Sequence, residues 1–286
     1  MSSRIVRILT RSPLHVVIIA ICLLWMLPSL GLLISSFRPA VDVTSTGWWS
    51  VFQTPLRFTQ FTVANYVEVI TDQGMGRAFV NSLFITIPAT ILPILVAAYA
   101  AYAFAWMDFR GRNVLFIIIV GLLVVPLQMT LIPILRVFNR LGLSGTYLGI
   151  WLAHTGYGLP FAIYLFRNYF GGLPRDLFES ARIDGASRMK VFLRIVLPLS
   201  VPAIASVAIF QFLWVWNDLL VALIYLGGTE DVAPMTLQVS NLAGYLGQDW
   251  HLLTAAAFVS MALPLAVFFA LRRFFVRGIL AGSVKG

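Results

Sequence analysis

Apolar residues gather in six long runs separated by short polar stretches, and this alternation frames the whole chain. The runs cover residues 14–34, 79–106, 114–135, 147–170, 201–226 and 251–275. Each reaches the length of roughly 20 apolar residues that a helix needs to cross the hydrocarbon of a bilayer. The pattern predicts an all-α polytopic membrane protein with six transmembrane helices. In domain terms, 1–13 is an N-terminal segment, 14–35 the first transmembrane helix and 36–78 an extracytoplasmic segment. Residues 79–275 form a core of five transmembrane helices with a polar loop at 171–200, and 276–286 is a tail. Trp48 and Trp49 in the 36–78 segment are typical of the water–lipid boundary, and a short helix is expected near 63–70. Pro88 and Pro93 lie inside the second run, and Pro126 and Pro133 inside the third. Proline within a membrane helix usually marks a kink whose freed backbone groups are paired again locally.

Composition agrees with the pattern. The 286 residues are 60% hydrophobic and only 11% charged, against about 25% charged in a soluble domain. The mean hydropathy is +0.91. The net charge of +9 is no sign of nucleic-acid binding. Fifteen of the 20 Lys and Arg flank the runs on one side, and five lie on the other. Basic residues favour the cytoplasm, so both termini and the 171–200 loop are expected there. This is the layout of a multi-pass membrane protein. The first run is too long for a secretory signal, and no Ala-x-Ala cleavage site follows it before Phe37. Cys22 is the only cysteine. It permits no internal disulfide and no cysteine metal site, and reads as a small hydrophobe in lipid.

The most informative stretch is the polar one between the fourth and fifth runs, 171–202. Pro174 suits the first turn of a helix, where its missing N–H has no partner to lose. Asp176 and Glu179 follow where the peptide dipoles favour negative charge. Gly185 is placed to end the helix in a left-handed turn. Met189, Phe192, Ile195 and Val196 then recur at helical spacing, with Arg188, Lys190 and Arg194 between them. Pro198 and Pro202 lead into the next run. A solvated loop requires no such order. The expected form is a short helix, a glycine elbow and a second helix.

Glu179-Ser180-Ala181, then Gly185 after three residues and Ile195-x-Leu197-Pro198 after nine more, resemble the EAA loop of permease subunits of bacterial ATP-binding-cassette importers. Ser180 departs from the family's middle alanine, a small-for-small change. The resemblance extends to Phe61-Thr62-x-x-Asn65-Tyr66, Asn81-Ser82-Leu83, Trp216-Asn217-Asp218 and the ending at 278–286. Together these look like the second permease subunit of maltose-type carbohydrate importers, with the type I ABC importer permease fold. The resemblance implies that the loop docks in a cleft of a cytoplasmic ATPase. Leu177, Phe178, Glu179, Ser180, Ala181, Asp184, Gly185 and Ala186 would carry that coupling. Leu177 and Phe178 would be apolar anchors. Ser180 and Ala181 would allow close approach, and Glu179 and Asp184 would pair with basic or N–H groups. Implied partners are a second, different permease chain, two copies of an ATP-binding subunit and an extracytoplasmic sugar-binding protein facing 227–250. Membrane lipid surrounds the chain and nucleic acid plays no part. The tail would touch the ATPases. This chain would hold no cofactor, with ATP and Mg in the ATPase subunits.

The residues themselves support a transport role over catalysis. No phosphate loop, His-Glu-x-x-His or Gly-x-Ser-x-Gly pattern occurs. Polar side chains do mark the spans. Gln211, Trp214 and Asp218 share one helix face with Asn217 beside them, and His154 and Tyr157 lie on another. A carboxylate in hydrocarbon costs at least ~2.5–3.5 kcal/mol and normally faces a cavity or a partner. About 17 residues into its run, Asp218 would sit near the outer end, roughly 26 Å along. Aromatic faces and hydrogen-bonding groups together suit a path for a sugar, and the overall resemblance implies an oligosaccharide or α-glucoside. The competing role for each residue is to bond one helix to another. A stand-alone ion-coupled carrier using Asp218 and His154 is the alternative, and it leaves the 171–202 stretch without a task.

Overall fold

The computed structural model describes residues 2–245 and 249–283, with side chains over 13–244 and 249–271. Among the described residues all regular structure is helical. The chain divides into two compact units, residues 1–76 with 239–259 and residues 77–238 with 260–286. Of the expected tail, 284–286 lie outside the described residues.

The first unit begins with α1 (Ser2–Ser36). The short α2 (Ala40–Ser45) follows, then 3-10 turns at Trp48–Phe52 and Phe58–Gln60, and α3 (Ala64–Thr71), close to the short helix expected at 63–70. The Thr62–Tyr66 stretch clasps the end of α1. Asn65 is buried, and its amide donates to the carbonyls of Ser36 and Arg38, both at 2.9 Å. The Thr62 N–H donates to the Phe37 carbonyl. Tyr66 shares a 2.7 Å hydrogen bond with Ser36 Oγ and packs its ring on Phe37. These bonds satisfy carbonyls that a helix end leaves without partners.

In the second unit α4 (Met75–Trp106) runs through Pro88 and Pro93 without a break. Then come α5 (Arg112–Gly121), a 3-10 turn at Leu122–Val124, α6 (Leu127–Leu141) and α7 (Tyr147–Gly171). Next, α8 (Arg175–Ile183) and α9 (Arg188–Val191) lead through a π turn at Phe192–Val196 into α10 (Leu197–Leu199). The unit continues with α11 (Val201–Trp216) and α12 (Leu220–Leu226); of α13 (Met235–Tyr245) and α14 (Trp250–Ser283), residues 239–259 belong to the first unit.

Among the described residues three helices are long and apolar enough to cross a membrane, at Pro13–Ser36, Met75–Trp106 and Trp250–Leu271, or up to five if each bent pair is one span. The expected third run is broken by a 104° bend between Arg112–Val124 and Leu127–Leu141. Its cause is local. Pro126 disfavours the helical region for the residue before it, and Val125 is extended at ψ 118°. The expected fifth run stops at Trp216, because Asn217 and Asp218 bond to nearby backbone in place of continuing the helix. A further bend of 74° separates Arg188–Leu199 from Val201–Trp216 at the Pro198–Pro202 step. The fourth run is α7, 25 residues long; Gly149, His154, Gly156 and Gly158 dilute its hydropathy. The 227–250 loop contains α13.

Asn81 on α4 organises one end of this unit. Its amide donates to the carbonyls of Asp231 and Ala233 at 3.0 and 3.1 Å, and its oxygen accepts from Tyr147 Oη at 2.8 Å. Ser82 Oγ accepts from the Met235 N–H, and Arg77 pairs with Asp231 on the surface. Asn81→Ala is expected to cost about 1–3 kcal/mol, because carbonyls and a hydroxyl lose their partner in a buried site. Thermal unfolding of the assembled complex in detergent measures it. Tyr147→Phe in the same background should add less than its effect in the native chain.

Candidate functional site: the elbow and the polar spans

Local sequence builds the elbow. Pro174 sits one position earlier than expected, at the N-cap of α8 with φ −59° and ψ 131°, and Asp176 falls in the first turn. At the other end the Gly185 N–H donates to the Arg182 carbonyl at 3.0 Å, and the Ala186 N–H to the Ala181 carbonyl at 2.9 Å. This pair of bonds is a Schellman stop, and Gly185 supplies the left-handed residue it needs at φ +70°. The Ser187 hydroxyl then caps α9 by accepting from the Lys190 N–H. The spacing Glu179, Ala181, Gly185 therefore has a conformational cause: Ala181 gives the carbonyl that the turn closes on.

The elbow is fastened to its own chain by aromatic side chains. The Phe178 ring stacks on Trp106 at the end of α4, with centroids 3.6 Å apart and planes at 16°. Trp106 Nε1 donates to the Phe170 carbonyl at 2.8 Å. Tyr102 Oη donates to the Arg188 carbonyl, and Tyr169 Oη to that of Leu199, both at 3.2 Å. Phe178, Ala181, Val191, Phe192 and Val196 join Ala97–Tyr102, Phe166 and Phe170 in one apolar core. Ile195 packs against this core, whereas Met189 turns outward.

The expectation that Phe178 and Ala181 face a partner is thus corrected: both are buried against this chain. The outward face of α8 carries Glu179, Ser180, Asp184 and Gly185, with Ala186 half-buried. Its apolar groups are Leu177, 38% exposed, and Ile183, 87% exposed. Ile183 and Trp106 were missed from sequence. The signal for Ile183 was an unexplained apolar residue between Arg182 and Asp184.

The polar residues of the spans divide into two groups. Gln211 and His154 are buried between helices. Gln211 Nε2 donates to the carbonyls of Ala89 and His154 at 3.1 and 3.3 Å, joining α11 to α4 and α7. Its amide lies flat on Gly158, where a Cβ would stand 2.6 Å from Oε1. Asp218 is not on the α11 face. Its carboxylate caps α12, accepting from the Val221 and Ala222 N–H groups at 3.3 and 3.0 Å, and Oδ2 lies 3.9 Å from His154 Nε2. Asn217 bonds back to the Leu213 carbonyl. Trp216, beside them, is buried and donates to the Ser260 carbonyl.

Trp214 and Tyr157 form the second group. Both line a cavity of about 440 Å³ at the bend between α5 and α6, with Leu122, Val125, Thr130 and Pro160. Tyr157 Oη shares hydrogen bonds with Thr130 at 3.0 Å and Tyr225 at 2.8 Å. Trp214 meets His154 edge-on. Thr130 and Tyr225 had no sequence signal, since hydroxyls in apolar runs are read as neutral. Among the described residues no three of His, Cys, Asp and Glu are grouped to hold a metal.

Residues 90–281 match the family described as binding-protein-dependent transport system inner membrane component. The chain is 66% identical over 273 residues to the osmoprotective compounds uptake permease protein GgtD of Synechocystis sp., covering 96% of this chain and 92% of that protein. It is 57% identical over 241 residues to the alpha-glucoside transport system permease protein AglG of Rhizobium meliloti, covering 82% of this chain and 63% of that protein. Its fold resembles a chain in the crystal structure of a bacterial ABC transporter involved in the import of the acidic polysaccharide alginate, with a TM-score of 0.76 at 23% identity, over 96% of this chain and 98% of that one. A carrier working alone on an ion gradient does not fit these findings. The chain belongs to the binding-protein-dependent transport system inner membrane components, and is a multi-pass permease subunit of an ABC importer.

Proposed function

We propose that this chain is the second permease subunit of a maltose-type importer that carries an oligosaccharide or α-glucoside across the cytoplasmic membrane. The observation that carries the reading is the elbow: a preformed turn that offers Leu177 and Ile183 outward while Phe178 locks it to α4. In this reading six spans place both termini and α8–α10 in the cytoplasm, with α7 as the fourth. The extracytoplasmic segment is 36–78, and 227–250 faces a sugar-binding protein. A second, different permease chain completes the path. Two copies of an ATP-binding subunit hold ATP and Mg and receive the elbow in a cleft. Leu177 and Ile183 fill apolar hollows there, and Glu179 and Asp184 meet basic or N–H groups.

ATP-driven closure of those subunits pulls on α8. The Phe178–Trp106 stack passes the displacement to α4, and the tyrosine bonds on α9 and α10 pass it to α4 and α7. Trp214 and Tyr157 offer the sugar an aromatic face and a hydroxyl. Gln211, His154, Asn217 and Asp218 hold the surrounding helices. The name of the Rhizobium relative, an alpha-glucoside transport permease, supports an α-glucoside. That of the Synechocystis relative supports a second reading, an osmoprotective compound. Uptake of labelled α-glucoside into liposomes bearing the complete complex, with ATP inside, tests the first. Competition by excess osmoprotectant distinguishes the second.

Ile183→Asp is expected to lower the ATPase subunit recovered with the complex by about tenfold or more, since losing one apolar anchor exceeds ~1.4 kcal/mol. Membrane insertion should be unchanged. Phe178→Ala should weaken the elbow by about 3–5 kcal/mol through loss of a buried ring. Transport then falls while ATP hydrolysis continues, read by comparing both rates in one preparation. Trp214→Ala should reduce uptake and leave recovery of the ATPase intact.

A further inference from the structure

Between α1 and α3 the Arg38 guanidinium and several hydroxyls bond inward while most large apolar side chains turn outward, with Gln53, Thr54 and Arg57 exposed beside them. Arg38 is buried. Its guanidinium donates to the carbonyls of Asp42, Thr46 and Gly47 and to the hydroxyls of Thr46 and Ser50. The hydroxyls of Thr44, Ser45 and Thr46 donate to the carbonyls of Ala40, Val41 and Asp42 respectively. The N–H groups of Val43, Thr46, Ser50 and Gln53 are all taken by nearby carbonyls. A loop in water needs no such closure, because water supplies the partners. Next to hydrocarbon, backbone and hydroxyl groups must be satisfied from within.

The outward side is apolar. Trp49 is 60%, Phe52 67% and Leu56 84% exposed, and Val41 and Phe58 are exposed beside them. Asp42 is the only charged residue from 39 to 56. A protein partner site carries a polar rim with free hydrogen-bonding groups; here the hydroxyls of Thr44, Ser45 and Thr46 are bonded to their own backbone, and the exposed Gln53, Thr54 and Arg57 are confined to the C-terminal end of the stretch.

The position of this stretch along α1 is fixed by Gly31. The Trp48 indole rests on it so closely that a Cβ would stand 2.7 Å from Nε1. The apolar span of α1 is Pro13–Ser36, 24 residues. Gly31 lies between six and seven residues past its midpoint, about 10 Å along the axis. The hydrocarbon half-thickness is about 15 Å. Trp48 therefore meets α1 about 5 Å inside the edge of the hydrocarbon, next to the interfacial zone in which tryptophan is enriched.

We propose that residues 41–58 form a lipid-docking surface, with Trp49, Phe52 and Leu56 seated among the acyl chains and glycerol groups of the leaflet at the C-terminal end of α1. The surface continues the exposed apolar face that α1 presents at Leu24, Leu27, Leu30 and Leu32. It pins the start of the 36–78 segment to the bilayer surface.

The test uses the assembled complex in phospholipid bilayers, with Cys22→Ser in this chain and accessible cysteines removed from its partners. Phe52→Cys and Leu56→Cys each carry a nitroxide label. Leu24→Cys on α1 and Asp72→Cys after α3 serve as references. Power saturation gives collision rates with oxygen and with a water-soluble nickel chelate. Labels at 52 and 56 should favour oxygen, as at 24, but at shallower depth, while 72 favours nickel. Nickel access at 52 and 56 equal to that at 72 overturns the proposal in favour of a solvated loop. Low collision with both reagents overturns it in favour of a covering protein. Because both side chains stand clear of the core, uptake by the labelled complex reports that the chain is intact.

Discussion

The stacking of Phe178 on Trp106 is the contact on which the elbow depends. It joins a polar nine-residue helix to the end of a 32-residue apolar one. Without it α8 would be held mainly by its links to α7 and α9, and a helix of that length is marginal in water. Trp106 is doubly fixed, because its N–H is bonded to the last turn of α7. Two long helices and the elbow therefore meet at one indole.

A second constraint runs through the rest of the unit. In a chain this apolar, each polar group within a span must find its partner on another helix or in its own backbone. Gln211 links three helices through carbonyls, and only a glycine at 158 allows it to approach. Asn81 gathers the 231–235 stretch in the same way. Asp218 answers the N–H groups that open α12. These side chains are joints between rigid elements, and the cavity with Trp214 and Tyr157 is what remains open between them.

Much of this was legible in sequence, for reasons that differ by residue. Apolar length gave the C-terminal ends of α1, α4 and α7 to within two residues, because an apolar run stops where lipid does, whereas α1 starts at Ser2, twelve residues before its run. Pro174, Asp176 and Gly185 gave the elbow, because caps and left-handed turns admit few residue types. The direction in which Phe178 points was not legible. An aromatic on a short polar helix suits a partner or its own core equally, and only the position of Trp106, some seventy residues away, decides. The break after Trp216 was hidden for a related reason. Asn217 and Asp218 read as a polar face on a continuing helix until their bonds to local backbone are seen. Pro126 was visible, yet the size of its bend depends on Val125 taking the extended form that ends the preceding turn.

The Schellman stop at Gly185 has a consequence for assembly. It is closed by bonds between residues 181 and 186 alone, so the shape offered by α8 exists before any other subunit arrives. In the proposed docking, association then meets a surface already frozen in its final form, and little conformational freedom is surrendered on contact. A modest pair of aliphatic side chains is sufficient for a firm grip when the scaffold beneath them has nothing left to lose.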